Sequence, residues 1–104
     1  MIHPFLQPYT DKINDLCQQH SVVRLYVFGS ATSNEFDVCN SDIDLLVELS
    51  EELPPECKGE IYFTFLFELE NLLHRPVDLI MGRSFRNPYF ARAVEQSKQL
   101  LYAA

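Results

Sequence analysis

Hydrophobic residues follow two different spacings along the first third of the chain. Residues 4–20 carry an apolar residue about every third or fourth position, which predicts an amphipathic helix. These apolar residues are Phe5, Tyr9, Ile13, Leu16 and Cys17. Residues 22–28 are β-branched and aromatic, and they predict a strand that ends at Gly29. The small, polar residues 31–41 then predict a short helical turn and a loop.

A second predicted strand, residues 42–49, alternates between two faces. One face is wholly apolar and consists of Ile43, Leu45, Val47 and Leu49. The other face consists of Asp42, Asp44, Leu46 and Glu48. A Glu- and Pro-rich stretch, residues 50–56, predicts the loop that follows.

The remaining elements are a helix, a strand and a second helix. Residues 59–74 predict a strongly apolar helix, with a core stripe of Ile61, Phe65, Leu69, Leu72 and Leu73. Residues 77–81 predict a third strand, and residues 82–86 predict a turn. Asn87 and Pro88 open a last helix, whose predicted inward positions are Phe90, Val94, Ser97 and Leu101. The order of elements predicts one α/β (α+β) domain spanning residues 1–104.

Composition and charge narrow the functional classes. Apolar residues make up 47% of the 104 residues, enough for a core, and 8 Lys and Arg stand against 15 Asp and Glu, a net charge of −7. Such an acidic chain repels a phosphate backbone, so we expect no extended DNA or RNA binding. Three widely spaced cysteines indicate neither a disulfide framework nor a zinc site. Without a leader or a membrane-length apolar run, the predicted location is cytoplasmic.

Two aspartates on the second strand carry the strongest chemical signal. Asp42 and Asp44 are two residues apart, so their side chains project to the same side of a strand, about 6–7 Å apart at Cα. Such carboxylates repel each other unless a cation lies between them. If the third strand is their neighbour, Asp78 can point at the same spot. Three carboxylates and substrate phosphate oxygens would form a two-magnesium site for in-line displacement at phosphorus.

Gly29 and Ser30 form a candidate phosphate-binding turn. Gly29 lets the backbone turn sharply and approach a phosphate closely, because it has no Cβ atom. Ser30 adds a hydroxyl and a main-chain N–H where a short helix is predicted to begin. Taken singly, a Gly-Ser pair is usually a turn and an Asp-x-Asp usually a solvated strand edge. The ordered combination favours a site, because the aspartates interrupt otherwise apolar strands at a cost in stability.

The complete pattern resembles a known superfamily. Residues 25–30, Leu-Tyr-Val-Phe-Gly-Ser, followed by residues 41–47, Ser-Asp-Ile-Asp-Leu-Leu-Val, are similar to the signature of DNA polymerase β-like nucleotidyltransferases. The short length and Val77-Asp78-Leu79 resemble the minimal nucleotidyltransferases, MNT proteins, within it. The resemblance implies a small mixed sheet flanked by helices, with Gly29 and Ser30 binding the triphosphate.

The same resemblance implies site chemistry and a partner. Asp42 and Asp44 would bind the metals, and Asp78 would be the third catalytic carboxylate and metal ligand. The implied activity is magnesium-dependent transfer of AMP from ATP to a protein, as the antitoxin that accompanies a helical HEPN toxin. Tyr62, Phe63 and Phe67 lie off the core stripe. They predict association with such a partner or with a second copy of the chain.

Two other functions, a binding module and a phosphatase, are alternatives to the nucleotidyltransferase activity. The loop at residues 31–41 is one residue longer than is common in the family and has Thr32, Ser33 and Asn34 in place of the usual Arg and Gly. That difference favours a binding module that neutralises a partner by contact, whereas the three intact carboxylates favour an enzyme. An Asp-x-Asp phosphatase of the haloacid dehalogenase type needs Thr or Val where Leu46 stands, so this class is rejected.

Overall fold

A computed structural model describes residues 4–29, 42–81 and 88–104. The chain begins with a 3₁₀ helix, Pro4–Tyr9. The α-helices are α1 (Thr10–Gln19), α2 (Pro55–Leu73) and α3 (Pro88–Ser97). The strands are β1 (Val22–Phe28), β2 (Ile43–Leu49), β3 (Val77–Met81) and β4 (Gln99–Ala103).

The strands form a mixed sheet in the order β3-β2-β1-β4. β1 pairs antiparallel with both β2 and β4, whereas β2 and β3 run parallel and are joined through α2. This arrangement confirms the predicted α/β class, and it meets the condition that the two strands carrying the aspartates are neighbours. The short helix and loop predicted for residues 31–41, and the turn predicted for residues 82–86, lie outside the described residues.

Helices cover both faces of the sheet. On one face, α1 and α2 bury the apolar set predicted for β2, together with residues such as Ile13, Cys17 and Phe65. On the other face, Val94 of α3 packs with Phe28 and Leu46, which are 1%, 5% and 4% exposed. The described elements therefore form three layers, with hydrophobic contacts on both sides of the sheet.

The first predicted helix is divided in two. Pro8 lies within the 3₁₀ segment, and α1 begins only at Thr10. Proline has no main-chain N–H and its ring clashes with the carbonyl four residues earlier, so a continuous α-helix through Pro8 is disfavoured. The prediction of one helix over residues 4–20 was correct only for its second half, where Ile13 and Cys17 are buried.

The last strand was not predicted. Leu101 was assigned to the final helix, but α3 ends at Ser97 and Leu101 lies in β4. β4 pairs with the edge of β1 that β2 leaves open, and Leu25 and Tyr102 are register partners. Pairing with a distant strand supplies main-chain hydrogen bonds that outweigh the local helical spacing of residues 97–101.

The helix between β2 and β3 begins earlier than predicted and orients its aromatic residues differently. α2 starts at Pro55, in the first helical turn, where proline loses no hydrogen bond. Tyr62, predicted to face a partner, is half-buried against the core. Phe63 and Phe67 are 57% and 60% exposed, as predicted. Among the described residues, no helix is both long and apolar enough to cross a membrane.

Truncation of a core residue should cost far more than truncation of an exposed one. Phe65 is fully buried beneath α2, whereas Phe63, two residues earlier, is 57% exposed. We expect Phe65→Ala to lower the free energy of unfolding by about 3–5 kcal/mol, because it leaves a cavity. Phe63→Ala should change it by less than about 1 kcal/mol. Urea unfolding measures both, and equal losses would contradict this assignment of the core.

Candidate active site

One row of side chains crosses three strands at the same end of the sheet. Asp44 of β2 is the register partner of Phe28 in β1 and of Asp78 in β3. Register partners in neighbouring strands project to the same face, so the two carboxylates lie side by side. The pairing of β2 with β3 thus brings Asp44 and Asp78 together, from positions far apart in the chain.

The next row on this face is hydrophobic. Tyr26 and Ile80 are register partners of Leu46 and pack with Phe28 and Val94 into one cluster. Asp44 lies directly beside this cluster and is partly buried, whereas Asp78, on the outer strand, is exposed. The face therefore changes from apolar to acidic within one row, and the acidic end is open to solvent at Asp78.

The three aspartates interact electrostatically. Partial burial raises the pKa of Asp44 from 3.8 to about 6, and the charges of Asp78 and then Asp42 contribute to the increase. Asp42 is exposed and immediately precedes β2. A carboxylate in this position is most stable when a proton or a cation offsets the neighbouring negative charges.

Gly29 directly adjoins Asp44. Its φ angle is +72°, in the left-handed region that favours glycine. A Cβ atom at this position would crowd Oδ2 of Asp44, so the carboxylate would have to move. The backbone conformation therefore favours glycine here, and the position of the carboxylate adds to that preference.

The carboxylates provide the right chemistry for magnesium. Mg²⁺ prefers carboxylate, phosphate and water oxygens, and Asp42, Asp44 and Asp78 offer only oxygen donors. The raised pKa of Asp44 indicates an excess of negative charge that a cation would relieve. Within residues 4–29, 42–81 and 88–104, no three His, Cys, Asp or Glu side chains are gathered closely enough to hold a metal ion.

One predicted site residue, Ser30 of the candidate phosphate turn, lies outside the described residues. Cys17 is buried, and its burial raises the thiol pKa to about 12, so it stays protonated. Cys17 therefore offers no nucleophile.

Sequence reasoning missed two residues that contact the strand of Asp78. Glu70 accepts a hydrogen bond from the main chain of Val77, and Tyr62 donates one to the main chain of Leu79. Positions 62, 65 and 69 follow helical spacing, so the burial of Tyr62 could have been read from the pattern. The contact between Glu70 and β3 depends on tertiary packing, and no local sequence pattern indicates it.

Comparisons with known proteins agree with this fold. The family model "Polymerase beta, Nucleotidyltransferase" matches residues 11–104. A candidate protein adenylyltransferase of Methanocaldococcus jannaschii, MJ1379, is 33% identical over 81 residues, which are 78% of each chain. The chain therefore belongs to the polymerase β nucleotidyltransferase family, as the sequence predicted.

Solved structures share the fold. The structure of a candidate minimal nucleotidyltransferase superposes with a TM-score of 0.67 at 27% identity, covering 95% of both chains. A chain from the complex of a tri-AMPylated Shewanella oneidensis HEPN toxin with an MNT antitoxin has a TM-score of 0.64 at 22% identity. That match covers 94% of this chain and 72% of the other.

Two glycines give a matched test of the contact at Asp44. We expect Gly29→Ala to lower the free energy of unfolding by about 1–3 kcal/mol, because alanine is strained at positive φ and displaces Asp44. The control is Gly59→Ala on α2, where an added Cβ has nothing within 4 Å. It should raise stability by about 0.4–1 kcal/mol. Thermal or urea unfolding measures both, and a stabilised Gly29→Ala protein would refute the close contact.

The raised pKa of Asp44 predicts a pH-dependent stability in metal-free protein. The folded state binds this proton more tightly than the unfolded state, so the contribution of Asp44 to stability falls as pH rises from about 4 to about 6. Asp44→Asn should therefore stabilise the protein at pH 7 by about 1–2 kcal/mol, less than the ~3 kcal/mol of the full shift, because the carboxylate is partly solvated.

Unfolding in urea and a chelator, at pH 4 and pH 7, measures this difference. The gain from Asp44→Asn should disappear at pH 4, where the carboxyl group is protonated in the folded state. Asp15→Asn, at an exposed position on α1, should show little gain at either pH. An equal effect of Asp44→Asn at both pH values would contradict the assigned shift.

Proposed function

We propose that this protein transfers AMP from ATP to a side chain of a partner protein, with magnesium as cofactor. The observation that carries the proposal is the register that sets Asp44 beside Asp78 and next to Gly29, in a chain of the nucleotidyltransferase family. Its relative MJ1379 bears the name of a candidate protein adenylyltransferase, and a toxin in the Shewanella complex is AMPylated. We expect the reaction in the cytoplasm.

The proposed roles follow the position of each residue. Gly29 and Ser30 bind the triphosphate, Gly29 by allowing the main chain to approach the phosphates. Asp42, Asp44 and Asp78 would hold two magnesium ions together with phosphate oxygens of the bound nucleotide, which supply ligands that the carboxylates alone do not provide. When bound, magnesium neutralises phosphate charge and makes the attacking hydroxyl more acidic.

The reaction is an in-line displacement at the α-phosphorus. The acceptor oxygen forms a bond to the α-phosphorus, the bond to the bridging oxygen of the β-phosphate breaks, and pyrophosphate leaves. Asp78 accepts the proton of the acceptor hydroxyl. Its exposed position on the outermost strand supports this role, because a bulky protein acceptor can reach it, whereas the partly buried Asp44 is less accessible.

The exposed face of α2 is the proposed surface for the partner. Phe63 and Phe67 are one helical turn apart and both more than half exposed. Glu56 and Glu60, exposed on the same helix, add negative charge near them. This surface suits an amphipathic helix with basic flanks, and a helical HEPN-type protein is the proposed partner, as in the Shewanella complex. A second copy of the chain is an alternative occupant.

A second candidate function is neutralisation by contact without transfer. The exposed aromatic pair favours this function, since it would bind a partner whether or not the carboxylates act. If the protein acts by contact alone, Asp44→Asn would not change neutralisation of the partner in a cellular assay. Changes at Phe63 and Phe67 would abolish neutralisation.

Transfer of label from α-labelled ATP to protein tests the proposed activity directly. Wild-type protein with magnesium, added to an extract of its native cells, should label one acceptor band. Asp44→Asn should lower labelling by at least about 100-fold, because it removes a metal ligand. The matched control is Glu48→Gln at the far end of the same strand, where Glu48 lies 3.7 Å from Arg24, and it should label normally.

The size of the labelled band identifies the acceptor. Labelling by Asp44→Asn at the wild-type rate would show that the site assignment is wrong. No label from any folded protein would favour the contact-only function, which the Phe63 and Phe67 variants then test in cells.

A further inference from the structure

β3 is an edge strand, and part of its main chain faces away from the sheet. Among the strands of the described residues, the order leaves one side of β3 without a neighbour. The N–H of Ile43 donates to the carbonyl oxygen of Pro76 at 3.3 Å. Because main-chain groups alternate in direction along a strand, those of Val77 and Leu79 point away from β2, toward the free edge.

Two side chains of α2 bond these outward groups. Oε2 of Glu70 accepts a hydrogen bond from the N–H of Val77 at 3.1 Å. The hydroxyl of Tyr62 donates a hydrogen bond to the carbonyl oxygen of Leu79 at 2.5 Å. Both bonds are partly buried, and they lie on the two sides of Asp78 in the sequence. The edge of β3 is thus attached to α2 just before and just after the candidate catalytic aspartate.

The surroundings of Tyr62 preserve its role as a donor. Its ring packs against the core and contacts Phe63 edge to face, with centroids 5.1 Å apart. Burial raises the pKa of Tyr62, and the charge of Asp78 adds to the increase. The phenol therefore stays protonated at neutral pH and can donate to the carbonyl of Leu79.

We propose that Tyr62 and Glu70 are positioning residues that fix the carboxylate of Asp78 through the main chain of β3. This inference depends on the role of Asp78 in the proposed transfer reaction. An edge strand has ladder bonds on one side only. Without these two contacts, β3 would be held by its ladder with β2 and by the burial of Val77 and Leu79, and it could still move slightly within that register. Misplacement of a reacting group by about 1 Å can lower a rate about 100-fold. Tyr62 and Glu70 are not proposed to contact the substrate themselves.

The test compares turnover and nucleotide affinity in variants that remove one contact at a time. Tyr62→Phe deletes only the hydroxyl, and Glu70→Leu deletes the acceptor of the Val77 N–H. We expect each to lower kcat for AMP transfer about 10- to 100-fold with little change in KM for ATP, because the residues proposed to bind the triphosphate, Gly29 and Ser30, do not lie on β3. Glu70→Gln keeps an acceptor oxygen and should restore most of the activity.

The matched control is Glu68→Leu on the same helix. Glu68 bonds Nε2 of His20 at 2.6 Å, on α1 and not on β3. This variant should keep the wild-type kcat even though it also loses a hydrogen bond made by a glutamate carboxylate of α2. Circular dichroism at the assay temperature verifies that each variant is folded.

The possible outcomes separate this inference from the proposed function. If wild-type protein shows no transfer that depends on Asp44, the proposed function fails, and the inference fails with it. If wild-type protein is active and Tyr62→Phe and Glu70→Leu match it, only the positioning role is overturned. Equal losses in Glu68→Leu, or no recovery in Glu70→Gln, would also overturn it, because they indicate a general loss of stability.

Discussion

The parallel pairing of β2 with β3 places Asp44 and Asp78 side by side, and the geometry of the site depends on this one register. A shift of one residue would turn either aspartate toward the opposite face, which α1 and α2 fill with apolar side chains. The hydrophobic residues that alternate with the aspartates, such as Leu45 and Leu79, fix the register by burial. The core therefore holds together two carboxylates that repel each other.

α2 connects the core, the strand of Asp78 and the exterior. Its inner face buries Phe65, Leu69 and Leu73. Its side toward β3 carries Tyr62 and Glu70, and its outward face exposes Phe63 and Phe67. One helix is thus joined to the sheet by apolar burial and by two hydrogen bonds. α2 therefore places the exposed Phe63 and Phe67 within a few residues of the two side chains that contact β3.

Local patterns predicted most of the fold, and long-range pairing explains what they missed. β1, β2 and β3 were predicted within one residue at each end, because alternation and β-branched content are local properties. β4 was missed because its stability comes from the open edge of β1, far away in the chain. The candidate aspartates were visible in the sequence because they interrupt apolar strands.

Other features of the site depend on packing that no short pattern encodes. The closeness of Gly29 to Asp44 requires the register of β1 with β2. The contact of Glu70 with Val77 requires α2 to lie along the edge of β3. The division of the first helix could have been predicted from the sequence, because Pro8 disfavours a continuous α-helix through its position.

The pairing of β4 with β1 also affects the order in which the protein folds. Arg24 and Ala103 are register partners, and β2, α2, β3 and α3 all lie between them in the chain. Closing such a long loop has a high entropic cost, and long-range contacts of this kind slow folding. Until β4 pairs with β1, one edge of β1 has no partner strand, although the side chains of β1 already favour strand structure. Newly made chains at high concentration would therefore be most prone to associate through β1.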